Sequence, residues 1–98
     1  MNYVNEIQAF YEQVELKPLS ASAASLWHTM LYFHHKSGWR KEFRVGALVL
    51  CVKSGLGEST FKKARRELRE KGYLIHIAGE PKEIPTYQMI SLQKEGGH

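Results

Sequence analysis

Between residues 46 and 74 a short apolar run is followed by a run of cations, and glycines mark each boundary. Ala47, Leu48, Leu50, Cys51 and Val52 suit a short apolar helix ending at Ser54 and Gly55, because glycine adopts the left-handed conformation on which helices often stop. Leu56 is then expected to turn into the core, with Gly57 at the N-cap of a second helix from about Glu58 to Lys71. Glu58, Ser59 and Thr60 form its first turn, and Glu58 suits the positive end of the helix dipole. Phe61, Ala64 and Leu68 recur at i, i+3 and i+7 and give one stripe to bury. Ser59, Lys62, Lys63, Arg66 and Arg69 fall away from that stripe, towards solvent. Gly72 closes the helix, and Tyr73, Leu74 and Ile75 lead into a strand. Two helices joined by a tight glycine turn, the second showing cations outward, are the geometry that places side chains in a DNA major groove. The plainer alternative is a solvated surface helix, in which Glu67 and Glu70 pair locally with Lys63, Arg66 or Lys71.

The distribution of charge favours the first alternative. The formal net charge is +4, but residues 36 to 71 carry eleven Lys or Arg against four Glu. The positive charge is thus gathered around the helix pair, as a polyanion partner requires. The chain is long enough for one core and too short for two. A single cysteine, Cys51, excludes an internal disulfide, and its place on an apolar helix makes it a small hydrophobe rather than a nucleophile. No signal peptide and no apolar run of membrane-spanning length is evident, so a cytoplasmic location is expected. The sequence has no Asp, no glycine-rich phosphate loop and no activated nucleophile, which argues against an enzyme, and nothing points to a cofactor.

Before the helix pair, residues 3 to 16 read as an amphipathic helix with Ile7, Phe10, Tyr11 and Val14 on one side and Asn5, Glu6, Glu12 and Glu15 on the other. Lys17 and Pro18 end it, since the residue before proline avoids the helical region. Ser20 or Ser22 caps a second helix reaching about Lys36, with Leu26, Trp27, Met30, Leu31 and Phe33 over most of its circumference. His28, His34 and His35 read as surface histidines near its C-terminus; no Cys, Asp or Glu stands nearby at ligand spacing, so no metal site is expected. Glu42, Phe43, Arg44 and Val45 alternate as a short edge strand does, and Arg40, Lys41 and Arg44 cluster there with Lys36. Trp39 reads as a core plug.

After the pair, Tyr73 to Ala78 and Thr86 to Leu92 read as strands, joined by Gly79 to Pro85 as a wing whose charges are Lys82, Glu80 and Glu83. The expected fold is mostly α with a small β wing, an α+β winged helix-turn-helix with an extra N-terminal helix over residues 1–92. Residues 93–98 are expected to form a flexible tail or the start of a linker.

Taken together the chain resembles the N-terminal winged-helix domain of DnaD-like replication initiators and phage replisome organisers, over nearly its whole length. The resemblance rests on Asn2 and Tyr3 with Ala9, Phe10 and Tyr11, on Pro18 to Ser20, and on Leu26, Trp27 and His28. It continues through Gly38 and Trp39, Glu42 and Phe43, Leu50 and Cys51, Lys53 to Leu56, Glu58 to Thr60, Ala64 and Arg65, Lys71 to Tyr73, and Tyr87 to Ile90. It implies a role in loading replication machinery, with self-association and partner contact through this domain. It also implies that much of the family's DNA affinity belongs to a C-terminal domain, so the 98 residues read as a fragment or as a single-domain relative.

The expected DNA-binding residues are Ser59, Thr60, Lys62, Lys63, Arg66 and Arg69, with Arg40, Lys41 and Arg44 on flanking phosphates. Double-stranded DNA, a homodimer or higher homo-oligomer, and replication proteins are the expected partners, with no membrane. Tyr3, Ile7, Phe10, Tyr11 and Val14 are the expected self-association surface. Two alternatives stand beside this reading: a self-association and docking domain with little DNA binding of its own, and a small winged-helix transcriptional regulator.

Overall fold

A computed structural model describes residues 2–80 and 83–93. Four helices, α1 (Tyr3–Leu16), α2 (Ala21–Lys36), α3 (Ala47–Ser54) and α4 (Glu58–Glu70), accompany three short strands, β1 (Phe43–Arg44), β2 (Leu74–Ile77) and β3 (Thr86–Met89). The strands form one antiparallel sheet in the order β1-β3-β2, with Phe43 opposite Tyr87 and Leu74 opposite Met89. This is a winged helix-turn-helix with an extra N-terminal helix. Pro81 and Lys82 of the expected wing loop, and residues 94–98 of the tail expected at 93–98, lie outside the described residues; Gln93 is described and its side chain donates to Glu6.

Side-chain capping explains where α1 and α2 begin. The Asn2 side chain accepts from the Asn5 N–H at 3.0 Å, and the Ser20 hydroxyl accepts from the Ala23 N–H at 3.1 Å, each satisfying a donor that the helix leaves orphaned. Gly46 and Gly57 open α3 and α4 without a side-chain cap.

Three helices end in the same way. After α2, α3 and α4 a glycine takes positive φ, and the N–H of the next residue bonds to a carbonyl five residues back: Trp39 to His34, Leu56 to Cys51, Tyr73 to Leu68. In each case that next residue is apolar and packs into or against the core, so the stop signal also steers the chain inward. Trp39 itself holds a left-handed φ of 63°, which costs a non-glycine residue on the order of 1 kcal/mol. Its indole is held edge-on between His34 and His35, with Tyr3 beside it.

The core lies between α2, α4 and the inner face of the sheet. Leu26, Trp27, Met30 and Leu31 of α2 meet Phe61, Ala64 and Leu68 of α4, so the apolar stripe expected on α4 is the buried one. Helix α1 adds Phe10, stacked on Trp27 with ring centroids 3.9 Å apart and edge-on to Tyr73. On the sheet, Tyr87 and Met89 alternate inward from β3.

Two expectations need correction, and α3 is covered less than its apolar composition suggests. Helix α3 is apolar nearly all round, yet Leu50 is its one buried residue; Leu48 and Val52 are 78% and 70% exposed, because α2 and α4 cover a single side of it. Glu6 does not line the solvent face of α1 but is 1% exposed. Its carboxylate accepts from the Ser91 hydroxyl at 2.7 Å, the Leu92 N–H at 3.2 Å and the Gln93 side-chain amide, so the segment after β3 folds over it. His34 is not a surface histidine either: it is buried, stacked on Phe43 and edge-on to Trp39. Of the other two, His28 is half-buried and His35 exposed.

Candidate functional site

Helix α4 is fixed on its inner side by three polar anchors as well as its apolar stripe. Glu67 accepts from the main-chain N–H and the hydroxyl of Ser20, both at 2.8 Å. Burial raises its pKa, but the hydrogen bonds from Ser20 and the adjacent Lys71 outweigh that effect and hold the carboxyl below its ordinary value. The Lys71 ammonium donates to the Pro18 carbonyl at 2.8 Å and pairs with Glu67 at 3.3 Å. Arg65 reaches across to the sheet, donating to the Tyr87 hydroxyl at 3.0 Å while its guanidinium lies 4.8 Å from the centre of the Phe61 ring. Burial raises the Tyr87 pKa against the weaker pull of Arg65, so the phenol stays protonated and accepts that hydrogen bond.

These anchors set the rotation of α4 and leave Ser59, Thr60, Lys62, Lys63, Arg66 and Arg69 exposed together on its outer side. The ion pairs among the described residues are Lys62 with Glu58, at 3.2 Å and exposed, and Lys71 with Glu67. Lys63, Arg66 and Arg69 therefore have no carboxylate partner among the described residues. Their charge is available to a polyanion, and the exposed Lys62–Glu58 pair is of the kind that contributes little.

The second cationic group stands apart. Lys36 at the end of α2, Arg40 in the following connection and Arg44 on β1 line a groove of about 680 Å³. Phe33, Phe43 and Val45 also line it, and Glu42 is the acid at its wall. Lys41 is exposed but not among its lining, and no residue of α4 is. The structure thus brings Arg40 and Arg44 together, with Lys36, but in a groove of their own.

The expected self-association surface on α1 is divided. Phe10 is 1% exposed and belongs to the core, which removes it from any surface. Tyr3, Ile7 and Val14 are half-buried against that core, and Tyr11 is 57% exposed. Val4 and Leu16 are the other exposed apolar residues of α1.

Sequence reasoning missed the inward turn of Arg65, the two hydrogen bonds that Ser20 donates to Glu67 and the burial of Glu6. The i, i+4 spacing of Glu67 and Lys71 was the one local signal, and it concerned only the lesser of the Glu67 contacts. Among the described residues no three His, Cys, Asp or Glu side chains gather where they could hold a metal ion, and no helix is long and apolar enough to cross a membrane.

Comparison of the chain with protein-family models, curated proteins and solved structures found no match.

Proposed function

We propose that the chain is a duplex-DNA-binding and self-associating module of a replication-initiation protein of the DnaD-like, replisome-organiser kind. The observation that carries the DNA part is the outer face of α4, where Lys63, Arg66 and Arg69 are exposed and unpaired among the described residues while Arg65 and Glu67 are turned inward as anchors. The helix N-terminus adds Ser59, Thr60 and free main-chain N–H groups, which suit phosphate oxygens. The replication context rests on the sequence resemblance alone. In this reading no residue is catalytic and no cofactor is needed.

Fluorescence anisotropy against mixed-sequence duplex DNA at two salt concentrations tests it. Micromolar binding that weakens steeply with salt is expected, because each phosphate neutralised by Lys or Arg releases counterions and adds roughly 0.9 to the slope of log K against log salt. Reversing charge at Lys63 and Arg66 together should abolish binding. Unchanged affinity would sink the proposal.

One observation favours a second reading, in which the domain docks a protein. Leu48, Val49 and Val52 present an exposed apolar flank on α3, and apolar residues that neighbour one another on a surface mark contact sites more often than scattered ones do. No DNA binding even at low salt would favour this reading over the first.

A further inference from the structure

We propose that the groove between the end of α2 and β1 is a phosphate-recognition site that accepts one nucleotide unit. Its shape comes first. At about 680 Å³ it falls within the range of small-ligand pockets, roughly 300 to 1,000 Å³. Three cations converge on it from three parts of the chain, Lys36, Arg40 and Arg44, and none of them has a carboxylate partner among the described residues. Like charges gathered on one concavity repel one another, and a bound phosphate relieves that repulsion.

The kind of cation matters. Two of the three are guanidinium groups, whose planar forks match phosphate oxygens two at a time, whereas the lysine contributes a point charge. The rest of the lining matches what a phosphate ester carries with it. The half-buried ring of Phe33 offers a flat apolar surface for a base, and Glu42 offers an acceptor for sugar hydroxyls or an exocyclic amine.

The frame is set before any ligand arrives. The Ser37 hydroxyl donates to the His34 carbonyl at 2.7 Å and accepts from the Arg40 N–H at 3.3 Å, which holds the turn bearing Arg40. Pairing of Arg44 opposite Thr86 fixes on the sheet the backbone that carries the other guanidinium. Because α4 does not line the groove, this site stands or falls separately from DNA binding by α4.

The nucleotide unit has two possible sources, a free mononucleotide or a nucleotide within a strand. Amide chemical shifts of the isotopically labelled chain, titrated separately with adenosine monophosphate, inorganic phosphate and a short single-stranded oligonucleotide, distinguish them. Saturating shifts at Ser37, Arg40, Glu42 and Arg44 are expected, with inorganic phosphate weaker than whichever nucleotide binds. Saturation by the mononucleotide identifies a free ligand; saturation by the oligonucleotide alone identifies a nucleotide within a strand. The double variant Arg40→Gln, Arg44→Gln should weaken binding at least about tenfold. Shifts confined to α4, no saturation with any of the three probes, or inorganic phosphate binding as tightly as the nucleotide would overturn the proposal. The shift map of the parent chain decides the matter even if the double variant fails to fold.

Discussion

The carboxylate of Glu67 on α4 accepts both the main-chain N–H and the hydroxyl of Ser20, the residue that caps α2. The start of one helix is therefore held by the middle of another, and α4 cannot rotate on the core without breaking both bonds. The cation-bearing side of α4 faces outward partly because this acid faces inward. In a winged helix whose wing carries Glu80 and Glu83, the aim of this one helix decides how its positive charge is presented.

Replacing that acid tests the arrangement. Glu67→Ala should destabilise the fold by about 1 to 2 kcal/mol, the cost typical of losing a charge-assisted hydrogen-bond pair at a partly exposed site. Urea unfolding measures it. Because the folded carboxyl is held below its ordinary value, the contribution is complete above about pH 4.5 and is lost as pH falls through the folded pKa. The difference between parent and variant should accordingly shrink in acid.

Two neighbouring aromatics on α1 should behave in opposite ways. Phe10→Ala removes the ring stacked on Trp27 and should cost about 3 to 5 kcal/mol, enough to unfold a small domain. Tyr11→Glu, at an exposed position, should change stability by less than about 0.5 kcal/mol. If α1 mediates self-association, Tyr11→Glu lowers the oligomeric state in sedimentation while the far-ultraviolet circular dichroism is unchanged.

Stability should fall on mild acidification. Burial lowers the pKa of His28, His34 and His76, helped at His76 by the nearby Arg65 and Arg69. Above about pH 6.5 these imidazoles are neutral in both folded and unfolded chains. As pH drops below that value the unfolded chain takes up protons first, so stability is lost until the folded pKa values are passed. The melting temperature should be lower at pH 5.5 than at pH 7.5. His34→Phe, which keeps a ring against Phe43, should reduce that difference without removing it, since two histidines remain.

Arg65 and Arg66 adjoin in sequence and should separate in effect. Arg65→Leu loses the bond to Tyr87 and should cost about 1 kcal/mol of stability with little change in DNA affinity. Arg66→Leu should leave stability within about 0.5 kcal/mol and weaken DNA binding, lowering the salt slope by about one. Denaturant titration and anisotropy on both variants check the pair, and equal losses of DNA affinity would contradict the assigned orientations.

The helices, their limits and the winged arrangement were legible because the signals that set them are local. Ser20 caps the next few residues, glycines stop three helices, and the spacing of Phe61, Ala64 and Leu68 defines a stripe without reference to anything else in the chain. What the tertiary structure alone decided is which neighbour covers each surface. Periodicity marks α3 as apolar but cannot say that only one side of it is covered, so the exposure of Leu48 and Val52 was invisible. It placed Phe10 on the apolar side of α1 but could not tell a core from an interface, since both are built from the same residues. The burial of Glu6 depends on Ser91, 85 positions away, and the anchoring of Glu67 on Ser20, 47 positions away. A carboxylate reads as a surface residue until a folded chain brings donors to it, because burying that charge is favourable only once those bonds exist.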